Sequence, residues 1–335
     1  MEKILVTGAA GFIGCHLFHS LAKLGYEVVG IDNLNPYYNV DLKYGRLKQL
    51  CGIQMESEPW VVRHSSLYPK CSFVFGDITD KRSLGLLFKE YNFTIVCHLA
   101  AQAGVRYSLT HPEVYMESNV IGFLNMLEAC RFHPVKHFIY ASSSSVYGDQ
   151  KEMPFLEESV TDKPISLYAA TKKTGELLAY TYSHLYKIPS TGLRFFTVYG
   201  PWGRPDMAPY LFMDSIIKGK VIHIYNYGKM MRDFTFISDI IMVIQRIIMD
   251  GPKSTYNIYN VGRSHPAQLM DLVREIENVT HIHAKCNFEH RQQGDVRSTY
   301  ADISSLVRDY GYCPHVDLYE GIKQTFEWYC RYIMK

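Results

Sequence analysis

Residues 3–32, KILVTGAAGFIGCHLFHSLAKLGYEVVGID, decide the fold. The stretch opens with a short β-rich apolar run and passes at once through glycines. An apolar pattern of helical period follows, FIGCHLFHSLAKLG, and the stretch closes on a second apolar run, EVVGID. Apolar runs without polar alternation mark strands buried on both faces, and strand, helix, strand within about thirty residues is one βαβ unit. The alternation continues. SFVFGD, FTIVCHLA, KHFIYAS and STGLRFF read as further strands, with helical stretches near 81–90, 112–131 and 166–186. Such a series predicts an α/β protein with a doubly wound parallel sheet covered by helices on both faces.

The character changes after residue 197. VYGPWGRPDMAP is rich in Gly and Pro and reads as a loop. Beyond it lie helical stretches near 208–218, 238–249, 266–277 and 319–333, with short strands at VIHIYN and YNIYNVG. The expectation is a Rossmann-type domain over 1–197 and a smaller mixed α/β lobe over 198–335, with parts of 234–262 packing back on the first. Residues 35–70 form a long excursion between the second and third strands, expected to be partly mobile.

Composition excludes several classes. A length of 335 residues with 47% hydrophobic and 20% charged residues suits a globular protein with a large core. A net charge of +2 without long basic runs argues against a nucleic-acid surface. FISDIIMVIQRIIM is broken by Asp239, Gln245 and Arg246, and no run reaches the ~18 residues of a membrane span. MEKILVTG has none of the features of a signal peptide. The eight cysteines never fall at Cys-x-x-Cys spacing, so they read as reduced thiols of a cytosolic protein. His281 and His283 would share one face of a strand, but no third ligand lies nearby, and no metal site is expected.

TGAAGFIG places Gly8, Gly11 and Gly14, with Phe12 and Ile13 between them, at the junction of the first strand and first helix. Glycines there let the chain turn tightly and a pyrophosphate approach the helix N-terminus. The spacing is G-x-x-G-x-x-G rather than G-x-G-x-x-G. Asp32 ends the second strand, where a carboxylate accepts hydrogen bonds from a ribose diol and repels a 2′-phosphate, which selects NAD. Asn33, then Asp77 and Ile78 in FGDI, then Leu99, Ala100 and Ala101 in HLAAQ follow strands at their carboxyl ends. These and Asn119 complete the expected cofactor contacts.

Tyr168 and Lys172 in SLYAATKKTGE lie one helical turn apart. A cation beside a phenol lowers its pKa and makes it a base for removing a hydroxyl proton as hydride leaves. Spacing alone does not single the pair out, since Tyr44/Lys48, Tyr147/Lys151, Tyr225/Lys229 and Tyr319/Lys323 share it. Context does, because this helix follows the strand that ends in the serine run SSSSVYG. The glycine turn, Asp32, serine run and Tyr-x-x-x-Lys, in this order, resemble the extended short-chain dehydrogenase/reductase family. AAQAGVRYS, LYAATKK, LRFFTVYGPWGRPDM, RDFTFISD and QQGDVRSTYAD bring the resemblance closest to the NAD-dependent nucleotide-sugar 4-epimerases that act on UDP-glucuronate.

The resemblance implies a base at Tyr168, a phenol-activating and ribose-binding lysine at Lys172, and assistance from Ser143, with Ser144 and Ser145 as further substrate contacts. It implies Arg232 on the pyrophosphate, Asp295 and Arg297 near the uridine, Tyr225 against the uracil, and Arg106 within the substrate set. Arg204 would take the sugar carboxylate, and the short Thr197 would leave room for it. Asp206 is the alternative, purely structural partner of Arg204. The implied reaction is reversible C4 epimerisation of UDP-glucuronate to UDP-galacturonate through a 4-keto sugar on bound NAD, by a cytosolic homodimer joined through helices near 112–131 and 166–186. A decarboxylase, a neutral UDP-sugar epimerase and a non-catalytic NAD-binding regulator are the alternatives. Decarboxylases and dehydratases carry an acid immediately before VYG, where this chain has Ser145.

Overall fold

The structure, a computed structural model, describes residues 2–334 except Glu56, Ser57 and Gln293. Two of these fall in the 35–70 excursion and one in QQGDVRSTYAD, so those parts lie outside the described residues. The first half runs β1 (Lys3–Thr7), α1 (Phe12–Lys23), β2 (Glu27–Asp32), α2 (Asp41–Arg46), β3 (Val62–His64), β4 (Ser72–Phe75), α3 (Lys81–Tyr91) and β5 (Ile95–His98). It continues through α4 (Pro112–Met116), α5 (Phe123–Phe132), β6 (His137–Ser143), α6 (Leu167–Tyr186) and β7 (Ser190–Phe195). The second half holds β8 (Thr197–Tyr199), α7 (Ala208–Ile217), β9 (Val221–Tyr225), β10 (Met231–Arg232), β11 (Phe234–Phe236), α8 (Ile237–Asp250) and β12 (Tyr256–Val261). β13 (Ala267–Gln268), α9 (Leu269–Thr280), β14 (Lys285–Glu289), α10 (Ser304–Tyr310) and α11 (Leu318–Tyr332) complete it.

The main sheet has the order β12-β7-β6-β5-β1-β2-β4-β3. Its pairs are parallel except for β3, which runs antiparallel to β4. Alternation along β1 feeds two cores. Ile4 and Val6 pack on one face with α1 and α8, and Leu5 packs on the other with α3 and α5. Burial on both faces is what the apolar runs predict, and it confirms the doubly wound sheet. Thr7, the last residue of β1, pairs with Ile31 on one side and His98 on the other. The winding reverses between β1 and β5, which opens a crevice at the carboxyl ends of these strands.

The second half is interlaced with the first. β12 pairs with β7 from Tyr256↔Ser190 to Val261↔Phe195, and Gln245 of α8 donates to Ser20 of α1 at 2.6 Å. Three details depart from expectation. VYG is not wholly loop, because Thr197–Tyr199 pairs with Phe234–Phe236 in a two-stranded sheet. The described part of 35–70 is packed: Leu47, Cys51 and Ile53 enter the core, and Arg46 is fully buried. Arg46 donates to the carbonyls of Trp202 (3.0 and 2.7 Å), Gly203 (3.3 Å) and Ala10 (3.1 Å) and to the Tyr38 hydroxyl. His281 caps the end of α9 with φ +58° instead of lying on a strand, and among the described residues no group of three metal-ligating side chains forms.

Candidate active site

After Thr7 the chain turns through Gly8 with φ +69°. A Cβ at Gly8 would lie 2.8 Å from the backbone nitrogen of Ala100, and one at Gly14 would collide with the Gly8 carbonyl oxygen. The first position therefore needs glycine for its left-handed backbone and the second for helix to close on turn. α1 begins with Gly11 as its N-cap, with no capping side chain and no acid in its first turn. Gly8, Gly11, Phe12, Ile13 and Gly14 line a cleft of about 440 Å³. Uncapped N–H groups and the positive end of the helix dipole suit a pyrophosphate there.

Asp32 lines the same cleft and braces it. Its carboxylate accepts from the N–H of Ala10 (3.1 Å), the N–H of Leu34 (2.8 Å) and the Lys43 ammonium (3.4 Å). Farther along the wall, Asn33 donates to Asp77 at 2.8 Å, beside Ile78. Leu99, Ala100 and Ala101 continue it, with the Ala100 N–H held by Thr7 Oγ1 at 3.0 Å. Asn119 lies deeper. It is buried in a π-helical turn between α4 and α5, where its amide pairs with the Gln102 backbone at 2.8 and 3.0 Å and with Thr171 at 3.1 Å. It lines a small pocket together with Ala100, Ala101 and Lys172.

β6 ends in Ser143, and Ser166 caps α6 by accepting from the Ala169 N–H at 3.1 Å. These two ends bring Ser143, Ser144, Ser145, Tyr168 and Lys172 into the cleft. The Lys172 ammonium donates to the Ala141 carbonyl at 2.9 Å and sits 6.0 Å from the centre of the Tyr168 ring. Burial lowers its pKa to about 8. Burial also raises the Tyr168 phenol, and a hydrogen bond with Ser143 and the charge of Arg204 oppose that rise. Arg204 is one cation that bears on Tyr168, and the Lys172 ammonium lies over the same ring while it bonds the β6 carbonyl. One turn past Lys172, Glu176 is fully buried and pairs with Arg194 through two contacts, at 2.8 and 2.9 Å, while Ser142 donates to it at 2.6 Å. Arg194 also reaches Tyr147, which donates to Asn260, so one polar network ties α6 to β7 and β12.

Thr197 and Arg204 enter the cleft from the second half. The Arg204 guanidinium pairs with Asp206, through Nε at 3.0 Å and Nη2 at 2.5 Å, while the Tyr37 hydroxyl donates to Asp206 at 3.0 Å. A second cationic group lies beyond Val105, which lines the cleft just before Arg106. Arg106 pairs with Asp295 at 2.9 Å and covers the Tyr225 ring at 4.5 Å from its centre. Arg232 donates to the carbonyls of Met231 (2.8 Å), Val296 (2.8 Å) and Arg297 (3.1 Å), and burial lowers its pKa to about 10. Arg297 presents its carbonyl to Arg232 and leaves its side chain exposed. These five residues stand together but outside the wall of the main cleft.

A family model described as the NAD dependent epimerase/dehydratase family matches residues 4–262. The chain belongs to that family. It is 43% identical to Protein CapI of Staphylococcus aureus across 99% of this chain and 100% of that one. It is 44% identical to UDP-glucuronate 4-epimerase 4 of Arabidopsis thaliana across 98% of this chain and 75% of that protein. The crystal structure of UDP-glucuronic acid 4-epimerase from Bacillus cereus with UDP-glucuronic acid and NAD matches with a TM-score of 0.88 and 33% identity, over 98% of this chain and 99% of that one. NAD is the cofactor of this epimerase-family chain, and the uncapped helix, glycine turn and Asp32 fit it. Among the cleft residues that sequence reasoning did not name are Tyr37, Tyr38 and Lys43, all from the excursion. A signal existed in the aromatic and basic run PYYNVDLK, which begins four residues after Asp32.

Proposed function

We propose that this epimerase-family enzyme interconverts UDP-glucuronate and UDP-galacturonate by inverting C4 through a 4-keto sugar. The observation that carries the reading is Arg204. Its guanidinium enters the cleft that holds Tyr168, beside the short Thr197 side chain, and its charge bears on the phenol. A guanidinium binds a carboxylate through two parallel hydrogen bonds. The similar UDP-glucuronate 4-epimerases support the same sugar.

In this reading NAD, when bound, supplies a cationic hydride acceptor that is restored in each cycle. Tyr168 takes the proton of the C4 hydroxyl, and Ser143 holds the phenol and the reacting oxygen together. Lys172 holds the nicotinamide ribose, while Ser144 and Ser145 line the sugar pocket. Arg232 takes the diphosphate: among the described residues it bonds only backbone carbonyls, so a nearby anion would stabilise its charge. Tyr225 lies against the uracil, with Arg106, Asp295 and Arg297 at the uridine end. We further propose a cytosolic homodimer joined through the helical stretches near 112–131 and 166–186, where Ile121, Leu177 and Tyr180 are exposed. Size-exclusion chromatography with light scattering tests that state.

The decisive experiment mixes purified protein with UDP-glucuronate, without added NAD, and follows proton NMR. UDP-galacturonate is expected. A UDP-pentose would make the enzyme a decarboxylase. Turnover of UDP-glucuronate unaffected by Arg204→Ala would remove the role given to that residue.

A further inference from the structure

We propose that Asp206, steadied by Tyr37, is the positioning residue that aims Arg204 at the sugar carboxylate. The inference rests on the substrate reading above. Asp206 engages the guanidinium side-on, through Nε to Oδ1 and Nη2 to Oδ2. A guanidinium carries five N–H donors in one plane. Side-on pairing uses two of them and leaves an end-on fork, formed by Nη1 and the second hydrogen of Nη2. The contacts with Asp206 use Nε and Nη2 and not Nη1.

Tyr37 fixes the plane from a second side. Its hydroxyl donates to Asp206 Oδ2 at 3.0 Å, its ring centre lies 5.8 Å from the Arg204 Cζ, and it packs on Tyr107 at 4.8 Å. Tyr37 comes from the loop after β2 and Arg204 from the loop after β8, and both line the cleft. The arginine is therefore oriented before substrate arrives, and less side-chain freedom is lost on binding.

Orientation also bears on a side reaction. Once C4 is a ketone, the C5–C6 bond can break, its electron pair entering the ketone as carbon dioxide leaves and C5 then taking a proton. That requires the C5–C6 bond to stand perpendicular to the plane of the ketone. A carboxylate gripped end-on by a fixed guanidinium is kept out of that alignment, whereas a swinging guanidinium allows it.

The test uses the purified enzyme with its cofactor and the variants Asp206→Asn and Tyr37→Phe. The readouts are KM for UDP-glucuronate, inhibition by UDP-glucose, and trapped carbon dioxide per epimer formed. Asp206→Asn should raise KM roughly tenfold and Tyr37→Phe about threefold, the scale of weakened hydrogen bonds to a charged group. Inhibition by the neutral UDP-glucose should stay within about twofold, since it lacks the carboxylate, and carbon dioxide per epimer should rise in both variants. A fall in KM would mean that Asp206 competes with the substrate for Arg204, and would overturn the proposal. So would an unchanged KM, or an equal loss for UDP-glucose. If Asp206→Asn does not fold, Tyr37→Phe decides by the same readouts. A wild-type enzyme inert toward UDP-glucuronate would sink the substrate reading and this inference together, whereas an active wild type with unchanged variants sinks this inference alone.

Discussion

Glu176→Ala should cost far more stability than its distance from the cleft suggests. The Glu176 side chain is 1% exposed and that of Arg194 is 3% exposed. Burial pushes the Glu176 carboxyl up, but the two-pronged hydrogen bonds and the charge of Arg194 outweigh it, and the net pKa lies below the ordinary 4.5. Removing the carboxylate would leave a buried guanidinium with only neutral acceptors, the Tyr147 hydroxyl and the Glu157 carbonyl. Breaking a buried pair in this way costs about 3–5 kcal/mol, a large share of the roughly 5–15 kcal/mol that holds a domain folded. Urea unfolding followed by tryptophan fluorescence measures it, with the slope checked for constancy.

The double variant Glu176→Leu/Arg194→Met leaves only the partly exposed Lys173 without its Glu176 partner and should recover most of the loss. A single-variant cost below about 1 kcal/mol, the range of exposed pairs, would refute the reasoning, as would a double variant at least as unstable as the single. The pH dependence has a definite sign. Because the native pKa is below the unfolded one, the pair's contribution is present above about 4.5 and disappears as pH falls through the native value. The double variant should lack that loss.

Tyr168→Phe should retain NAD on purification and lose turnover by about 10²–10⁴-fold, the usual effect of a positioned base; near-normal rates would move the base elsewhere. Gly14→Ala should purify folded by circular dichroism but without NAD, because its methyl group meets the Gly8 carbonyl where helix closes on turn. Full cofactor content by absorbance would contradict that account. In cofactor-free protein Lys172 titrates near 8 instead of 10.5, so the native state binds fewer protons than the unfolded state between those values. Its contribution to stability should rise with pH across that window, and thermal melts of Lys172→Met should lack this component.

Legibility followed the range of the cause. The glycine turn and Asp32 were readable because a tight backbone and a strand end are local demands, written within residues 3–32. Tyr168, Lys172 and Ser143 were readable because strand, turn and helix place them within one βα unit and its serine run. The action of one side chain on another was not. Lys172 lies over the Tyr168 ring and also bonds the Ala141 carbonyl, a second partner supplied by β6 packing behind α6. Arg106, Tyr225, Arg232 and Asp295 were read as substrate contacts and do assemble, yet their grouping beyond Val105 depends on three segments meeting. Tyr37 meets Asp206 across 169 positions of sequence, and no local pattern announces such a meeting. Asn119 lies in a π-helical turn that directs its amide to Gln102, a pairing that no local pattern announces either.

Arg46 gives the architecture a consequence for anyone wishing to exchange substrate preference between relatives. Its guanidinium joins Ala10 of the glycine turn, Tyr38 of the excursion and the Trp202–Gly203 backbone immediately before Arg204. The unit of inheritance for the carboxylate loop is therefore discontinuous. A graft of residues 200–209 alone would import a backbone path that no longer meets this buried cation. A graft that carries residues 35–52 with it would move lock and anchor together.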